Sequence, residues 1–170
     1  MTLSKTTNIL IVFGHGGHAE QMTRLLKSID GMHNQNYVAI VENGSILKNK
    51  SIPVIGTLSV IPIRPKNSDV NRIKLFLQFI SSFFSSFLSA LKLLYKSRIK
   101  LMISTGPGIA IPIALVCRLF NCRIIHLETW CRFYTKSFTG KFMYYLATDF
   151  WIQNKELANL YPKATYVGRL

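Results

Sequence analysis

Apolar and polar positions fall in short blocks whose period keeps changing. Ile9–Phe13 is an unbroken apolar run that ends on glycines, the pattern of a parallel strand buried on both faces. Over Ala19–Ile29 the period becomes helical, with Met22, Leu25, Leu26 and Ile29 on one face. Tyr37–Val41 reads as a second strand, stopped by the turn residues Glu42-Asn43-Gly44. Val54–Ile63 holds a third, broken at Gly56 and closed by Pro62 and Pro65. Beyond residue 98 the alternation continues: strand Lys100–Ser104, helix Ile109–Phe120, strand Arg123–Leu127 and helix Lys141–Leu146. Strand Phe150–Gln153, helix Glu156–Leu160 and a last strand opening at Tyr166-Val167 complete it. There is no internal repeat and no low-complexity linker. The order predicts one domain over residues 1–170, an α/β fold with a Rossmann-like, doubly wound parallel sheet.

The stretch 72–98 departs from this pattern. Arg72–Arg98 contains no acid, and Leu75–Leu91 carries no charge, close to the roughly 17–25 residues of a bilayer span. Its periodicity argues for an amphipathic helix instead. Gln78, Ser81, Ser82, Ser85, Ser89, Lys92 and Lys96 form a polar stripe, opposite Phe76, Phe79, Ile80, Phe83, Phe87, Leu91 and Leu94. Two roles fit the pattern: a core helix on the sheet, or an interfacial helix whose Phe-rich face meets lipid. Lys74, Lys92, Lys96, Arg98 and Lys100 flank it as an interfacial helix requires.

Charge sharpens the second role. The chain carries 21 Lys and Arg against 7 Asp and Glu, a formal net charge of +14, which calls for an anionic partner. No helix-turn-helix or aromatic RNA-binding motif accompanies the charge, so nucleic acid is not the expected partner. Cys117, Cys122 and Cys131 have no metal-ligand spacing and read as buried reduced thiols; no metal site is expected. The apolar run Ile9–Phe13 is too short for a signal peptide, which places the chain in the cytoplasm or on its membrane face.

Chemistry concentrates at strand ends. Gly14-His15-Gly16-Gly17-His18 joins the first strand to the first helix, where backbone N–H groups and helix polarity favour an anion. Gly14, Gly16 and Ala19 also satisfy a dinucleotide fingerprint, and Glu42 stands roughly 20 residues on, where a ribose-binding acid belongs. A nicotinamide-dependent oxidoreductase is therefore a competing expectation. Thr105-Gly106-Pro107-Gly108 follows a later strand in the same way, and two such turns at one sheet edge outline a ligand crevice. Glu128-Thr129-Trp130-Cys131-Arg132 closes the next strand; Glu128 suits either a salt bridge or a substrate role. Trp130 suits core packing or stacking on a sugar, His126 packing; His33 lies in a polar loop.

Taken in order, Gly14-His15-Gly16-Gly17-His18, Ser104-Thr105-Gly106-Pro107-Gly108 and Glu128-Thr129-Trp130-Cys131-Arg132 resemble three signatures of one family. Trp151-Ile152-Gln153 and Tyr166-Val167-Gly168 also fit, so the resemblance runs from Asn8 to Leu170. The family is the membrane-anchoring, acceptor-side subunit of the split N-acetylglucosaminyltransferase that adds the second sugar of dolichol-linked glycans. The chain is more similar still to bacterial relatives in capsular and exopolysaccharide assembly.

The resemblance implies a fold equivalent to the N-terminal half of a GT-B glycosyltransferase. A separate donor-binding subunit would supply the other half of a heterodimer, with a UDP-sugar as donor and no further cofactor. The acceptor would be a lipid-diphosphate-linked sugar. His18, matched to the family's glycine-loop histidine, is the first candidate base and Glu128 the second. Gly14, Gly16 and Gly17 would hold diphosphate, with Arg132 as a further anion ligand. His15, Thr105, Gly106, Gly108 and Thr129 would complete the acceptor site. Met1–Asn8 cannot form the transmembrane anchor of the eukaryotic subunit, so attachment to the cytoplasmic membrane face would be peripheral, through helix 72–98. A non-catalytic membrane adaptor is the remaining alternative.

Overall fold

Seven parallel strands form one sheet in the order β3-β2-β1-β4-β5-β6-β7 in the computed structural model, which describes residues 8–29, 36–45, 47, 54–61 and 72–170. The strands are β1 (Asn8–Phe13), β2 (Asn36–Glu42), β3 (Val54–Val60), β4 (Ile99–Ser104), β5 (Arg123–Leu127), β6 (Asp149–Ile152) and β7 (Thr165–Tyr166). The helices are α1 (Gly17–Ser28), α2 (Arg72–Lys96), α3 (Ala110–Leu119) and α4 (Phe138–Leu146). Residues 1–7, His33, Pro62 and Pro65 lie outside the described residues. Strand order runs outward from β1 to β3, then restarts at β4 on the other side of β1. That reversal opens a crevice between β1 and β4 at their carboxyl ends.

The period-2 geometry of the strands divides the core in two. Leu10, Val12, Met102 and Ile124 face α2, α3 and α4. Ile9, Ile11, Phe13 and Ile103 face α1 through Met22 and Leu26. Helix α3 contacts both α2 and α4, which explains why Ile113, Ala114, Val116 and Cys117 are all fully buried. Strand β3 runs through Gly56 without a break; a register shift beside Tyr37 accommodates it. Helix α4 begins at Phe138 rather than Lys141, because Ser137 caps it by accepting the Gly140 N–H at 2.8 Å. Residues Lys155–Asn159 form a single 3-10 turn.

Helix α2 is amphipathic in an unexpected sense. Its buried face is Ser82, Ser86, Ala90 and Leu94, at four-residue spacing. The Ser82 hydroxyl donates to the Ile61 carbonyl. Small inward side chains seat this helix against its neighbours, while Ile73, Phe76, Leu77, Phe84, Leu88 and Tyr95 point to the outside. Of the expected polar stripe Ser82 is buried, Phe79, Phe87, Leu91 and Leu94 of the expected apolar side pack towards the core, and the exposed face mixes large apolar side chains with Lys74, Lys92 and Lys96.

On the α3/α4 side of the sheet, His126 is fully buried, 5.3 Å from the Phe150 ring, with neither nitrogen partnered among the described residues. Burial first, and His18 second, push its pKa from 6.5 down to about 3. The folded chain therefore refuses a proton that the unfolded chain accepts. Stability should be full above the unfolded pKa and fall as pH drops from about 6.5 towards about 3, by at most ~1.4 kcal/mol per pH unit. His126→Phe should flatten that decline, which urea unfolding at pH 7, 5 and 4 would measure.

Candidate active site

The loops that leave β1 and β4 emerge side by side, because Val12 and Ser104 are paired in register. They are clasped together. The Thr105 N–H donates to the Val12 carbonyl at 3.2 Å and the Thr105 hydroxyl to the His18 carbonyl at 2.8 Å. The His18 ring reaches back, its Nδ1 lying 2.5 Å from the Thr105 carbonyl oxygen. A carbonyl only accepts, so Nδ1 carries the proton and Nε2 of the neutral ring is an acceptor. Gly106 makes the clasp feasible. Its φ is +108°, and a Cβ there would lie 3.0 Å from His18 Cε1, so both torsion and space call for glycine.

A cavity of about 690 Å³ opens beside this clasp. His18 and Glu42 border it, with Gly106 and Gly108 from the turn before α3 and Thr129 and Arg132 from the loop after β5. Phe79 of α2 and Phe138 of α4 supply apolar wall. The first turn of α3 is closed on itself, the Ala110 N–H donating to the Pro107 carbonyl at 3.0 Å and the Ile111 N–H to the Gly108 carbonyl at 3.2 Å. A polar floor with one histidine, one arginine and one carboxylate beneath aromatic walls suits a ligand that is part polar and part apolar.

The residues anticipated from sequence fall into three groups. His18, Gly106, Gly108, Thr129 and Arg132 border the cavity. Gly14, Gly16 and Gly17 do not, and the reasons are local. A Cβ on Gly14 would lie 2.6 Å from a Glu42 carboxylate oxygen, so that glycine seats an acid and is a poor place for diphosphate. Gly17 faces the Trp130 indole nitrogen, and Gly16 starts α1 with φ +59°. His15 turns the other way: a Cβ on Gly44 would meet its ring at 3.1 Å. Thr105 is fully buried and acts through the clasp. Of the thiols, Cys117 and Cys122 are buried, but Cys131 is exposed on the cavity wall, unlike the three buried thiols expected.

Glu128 lies behind the cavity rather than on it. It is 1% exposed and accepts three hydrogen bonds, from the Thr129 N–H at 2.9 Å, Ser137 Oγ at 3.1 Å and Tyr161 OH at 2.8 Å. A side chain on Gly140 would overlap its carboxylate, so this glycine is kept for space. Burial, and then the Glu128 charge, hold the Tyr161 phenol above its ordinary range, which keeps it a donor. The carboxylate therefore binds the end of β5 to the start of α4 and orients Thr129 and Arg132. Gln153 and Asn154, both buried, hold the same loop through the carbonyls of Glu128, Trp130 and Arg132. Among the described residues, no group of three His, Cys, Asp or Glu side chains is arranged to hold a metal.

Sequence reasoning missed Glu42 in this role, as well as Phe79, Phe138, Ser137 and Thr139 on the walls. Only Glu42 gave a signal, as an acid closing a parallel strand. The aromatic residues belong to helices whose packing decides which side faces the crevice.

The fold is that of one Rossmann-like half of a GT-B glycosyltransferase. Among solved structures, the chain superposes on MurG of Acinetobacter baumannii with TM-score 0.62 at 15% identity, over 97% of this chain and 44% of that one. On UGT2 of Phytolacca americana the TM-score is 0.57 at 12% identity, over 95% of this chain and 50% of that one. The chain thus spans about half the length of each. A family model described as "Oligosaccharide biosynthesis protein Alg14 like" matches residues 9–170, and the chain belongs to that family. It is 28% identical to UDP-N-acetylglucosamine transferase subunit ALG14 of Rattus norvegicus over 194 residues, covering all of this chain and 86% of the relative. To the subunit of the same name from Debaryomyces hansenii it is 31% identical, over 96% of this chain and 76% of the relative. Membership in this family sets aside the nicotinamide-dependent oxidoreductase.

Proposed function

We propose that this chain is the acceptor-binding, membrane-lying subunit of a two-component UDP-sugar glycosyltransferase that extends a lipid-diphosphate-linked sugar. The observation that carries the reading is His18 on the cavity wall with Nδ1 tied to the Thr105 carbonyl. That hydrogen bond leaves Nε2 as the acceptor atom and fixes the ring's orientation before substrate arrives.

In the reaction, the acceptor hydroxyl oxygen attacks the anomeric carbon of the donor sugar while Nε2 takes its proton. The bond from that carbon to the UDP oxygen breaks, and UDP leaves with the electron pair. Arg132 holds the acceptor diphosphate, and the turn Gly106–Gly108 lets it approach the backbone. Glu128 keeps the loop of Thr129 and Arg132 in place from behind. Phe79 and Phe138 take the first part of the lipid chain. The donor binds on a partner subunit that completes the two-domain enzyme, its sugar one of the UDP-hexoses, with UDP-N-acetylglucosamine first in line from the relatives' names. The membrane contact is peripheral, on the cytoplasmic face, through the exposed apolar side of α2. The biosynthetic setting is capsular or exopolysaccharide assembly, the branch its motifs resemble.

The test is reconstitution. The isolated chain should transfer no sugar from UDP-N-acetylglucosamine, UDP-galactose or UDP-glucuronate to a lipid-diphosphate-linked monosaccharide. Purified with its partner subunit, it should gain at least about 10³-fold in rate with one of them, since neither half alone holds both reactants. Full transfer by either subunit alone would overturn the two-component reading.

A further inference from the structure

In a chain with only 7 acids against 21 basic residues, a carboxylate on the wall of a substrate cavity calls for an explanation. Glu42 is the acid among the cavity's lining residues, and it reaches that place as the last residue of β2, paired with Val60. Its carboxylate lies against the Gly14 backbone. A Cβ on Gly14 would meet Glu42 Oε2 at 2.6 Å and Pro107 Cβ at 3.1 Å, so Glu42, the β1 loop and the Pro107 ring converge at one point. The residue before Pro107 is Gly106, whose missing side chain gives the His18 ring its place. Carboxylate and imidazole therefore border one cavity from the two sides of a single Gly106-Pro107 step.

This arrangement assigns an orientation to whatever binds. A diphosphate is repelled by the carboxylate and drawn to Arg132, which borders the same cavity. Sugar hydroxyls are the complementary partners of a carboxylate, because each donates a charge-assisted hydrogen bond that a neutral amide oxygen makes less strongly. We infer that Glu42 binds hydroxyls of the acceptor's sugar ring, and so places the ring at His18 with its diphosphate turned towards Arg132. The inference rests on the transferase reading above and adds the residue that recognises the acceptor sugar. Glu42 is thereby a specificity-determining contact. An acceptor lacking the hydroxyl it binds forfeits that charge-assisted hydrogen bond, so Glu42 discriminates between acceptors by it.

The experiment uses the chain with its partner subunit, wild type and carrying Glu42→Gln or Glu42→Ala. The probe is a short-chain alkyl diphosphate N-acetylglucosamine and its mono-deoxy analogues, with binding measured by calorimetry and transfer measured separately. Glu42→Gln should weaken binding of the parent probe about 10-fold and Glu42→Ala about 100-fold, with KM for the UDP-sugar unchanged within twofold. One deoxy analogue should bind the wild type as weakly as the parent binds Glu42→Ala, and that analogue should lose nothing further on mutation. Thermal melting checks that the near-isosteric Gln variant is folded. Unchanged binding of the parent probe by Glu42→Gln and Glu42→Ala, or an effect confined to the UDP-sugar, overturns the role of Glu42. Binding that depends on Glu42 with no transfer by the wild-type complex counts against the transferase reading alone.

Discussion

Replacing His18 by alanine is expected to lower kcat of the two-subunit enzyme by about 10²–10⁴-fold, the range over which a positioned general base contributes. The imidazole is the cavity-wall group whose acceptor atom is fixed by a hydrogen bond on its far side, since Nδ1 is committed to the Thr105 carbonyl. Loss of the ring removes the base and also one half of the clasp between the β1 and β4 loops. The two losses separate experimentally. The Thr105 hydroxyl still reaches the carbonyl of residue 18, which is backbone, so the loops stay joined and melting should move by only a few degrees. His18→Asn gives the sharper comparison: its side-chain amide can replace the donor to Thr105 but cannot take up the proton. If His18→Asn binds the acceptor normally and transfers as slowly as His18→Ala, the ring acts in chemistry. If His18→Asn restores transfer, the ring serves only to hold the loops, and the base lies elsewhere.

The strands were legible because parallel strands buried on both faces read as continuous apolar runs, and Ile9–Phe13 or Tyr37–Val41 resemble little else. The doubly wound class followed from alternation with helices, and the two glycine turns marked the crevice, while the strand order itself came from the structure. The glycine turns were legible as turns, but their uses were not. Gly14 and Gly140 are explained by carboxylates that lie far away in sequence, Glu42 and Glu128, and such close approaches leave no local signature. The same is true of Glu128. Its position at a strand end suggested substrate, whereas Ser137 and Tyr161, 9 and 33 residues later, take up its oxygens. Helix α4 began earlier than its apolar period implied because a serine cap, not hydrophobicity, sets its start. In α2 the helical period was legible and Phe79, Phe87, Leu91 and Leu94 do pack towards the core, but the burial of Ser82 and Ser86 was not foreseen. Serine scores as polar on any pattern, yet a stripe of serines is also a stripe of small side chains, and close packing of helices selects for size.

The large apolar side chains that α2 leaves exposed lead to the second large effect, on membrane attachment. Substituting Phe84 and Leu88 together by glutamate should reduce binding to anionic phospholipid vesicles at least about 100-fold while leaving the fold intact. Both residues lie outside the packing face, 58% and 50% exposed, so little core is disturbed. They share the outward face with Ile73, Leu77 and Tyr95, at helical spacing over a segment from Phe76 to Lys96 that is long and apolar enough to cross a membrane. Ser82, Ser86, Ala90 and Leu94 bind the other face to the domain, so the helix lies along the protein with one side outward. Each large apolar side chain moved from water into lipid contributes about 1.5–3 kcal/mol, so two of them account for roughly a hundredfold or more. Lys74, Lys92 and Lys96 are exposed on the same helix, and each adds about 1 kcal/mol near an anionic surface. Replacing those three by glutamine should therefore weaken binding to anionic vesicles and leave the weaker binding to neutral ones nearly unchanged. The aromatic residues Phe138, Phe142 and Tyr145 on α4 are exposed as well, and Phe138 and Phe79 stand on opposite helices at the cavity wall. A domain lying on α2 thus brings its cavity to the level where a lipid-linked diphosphate is found. In detergent, where the acceptor reaches the enzyme without a bilayer, the Phe84→Glu/Leu88→Glu complex should transfer sugar at close to the wild-type rate. Equal loss of transfer in detergent and in vesicles would place these residues in the catalytic unit or its partner interface, and would remove the membrane role from this face.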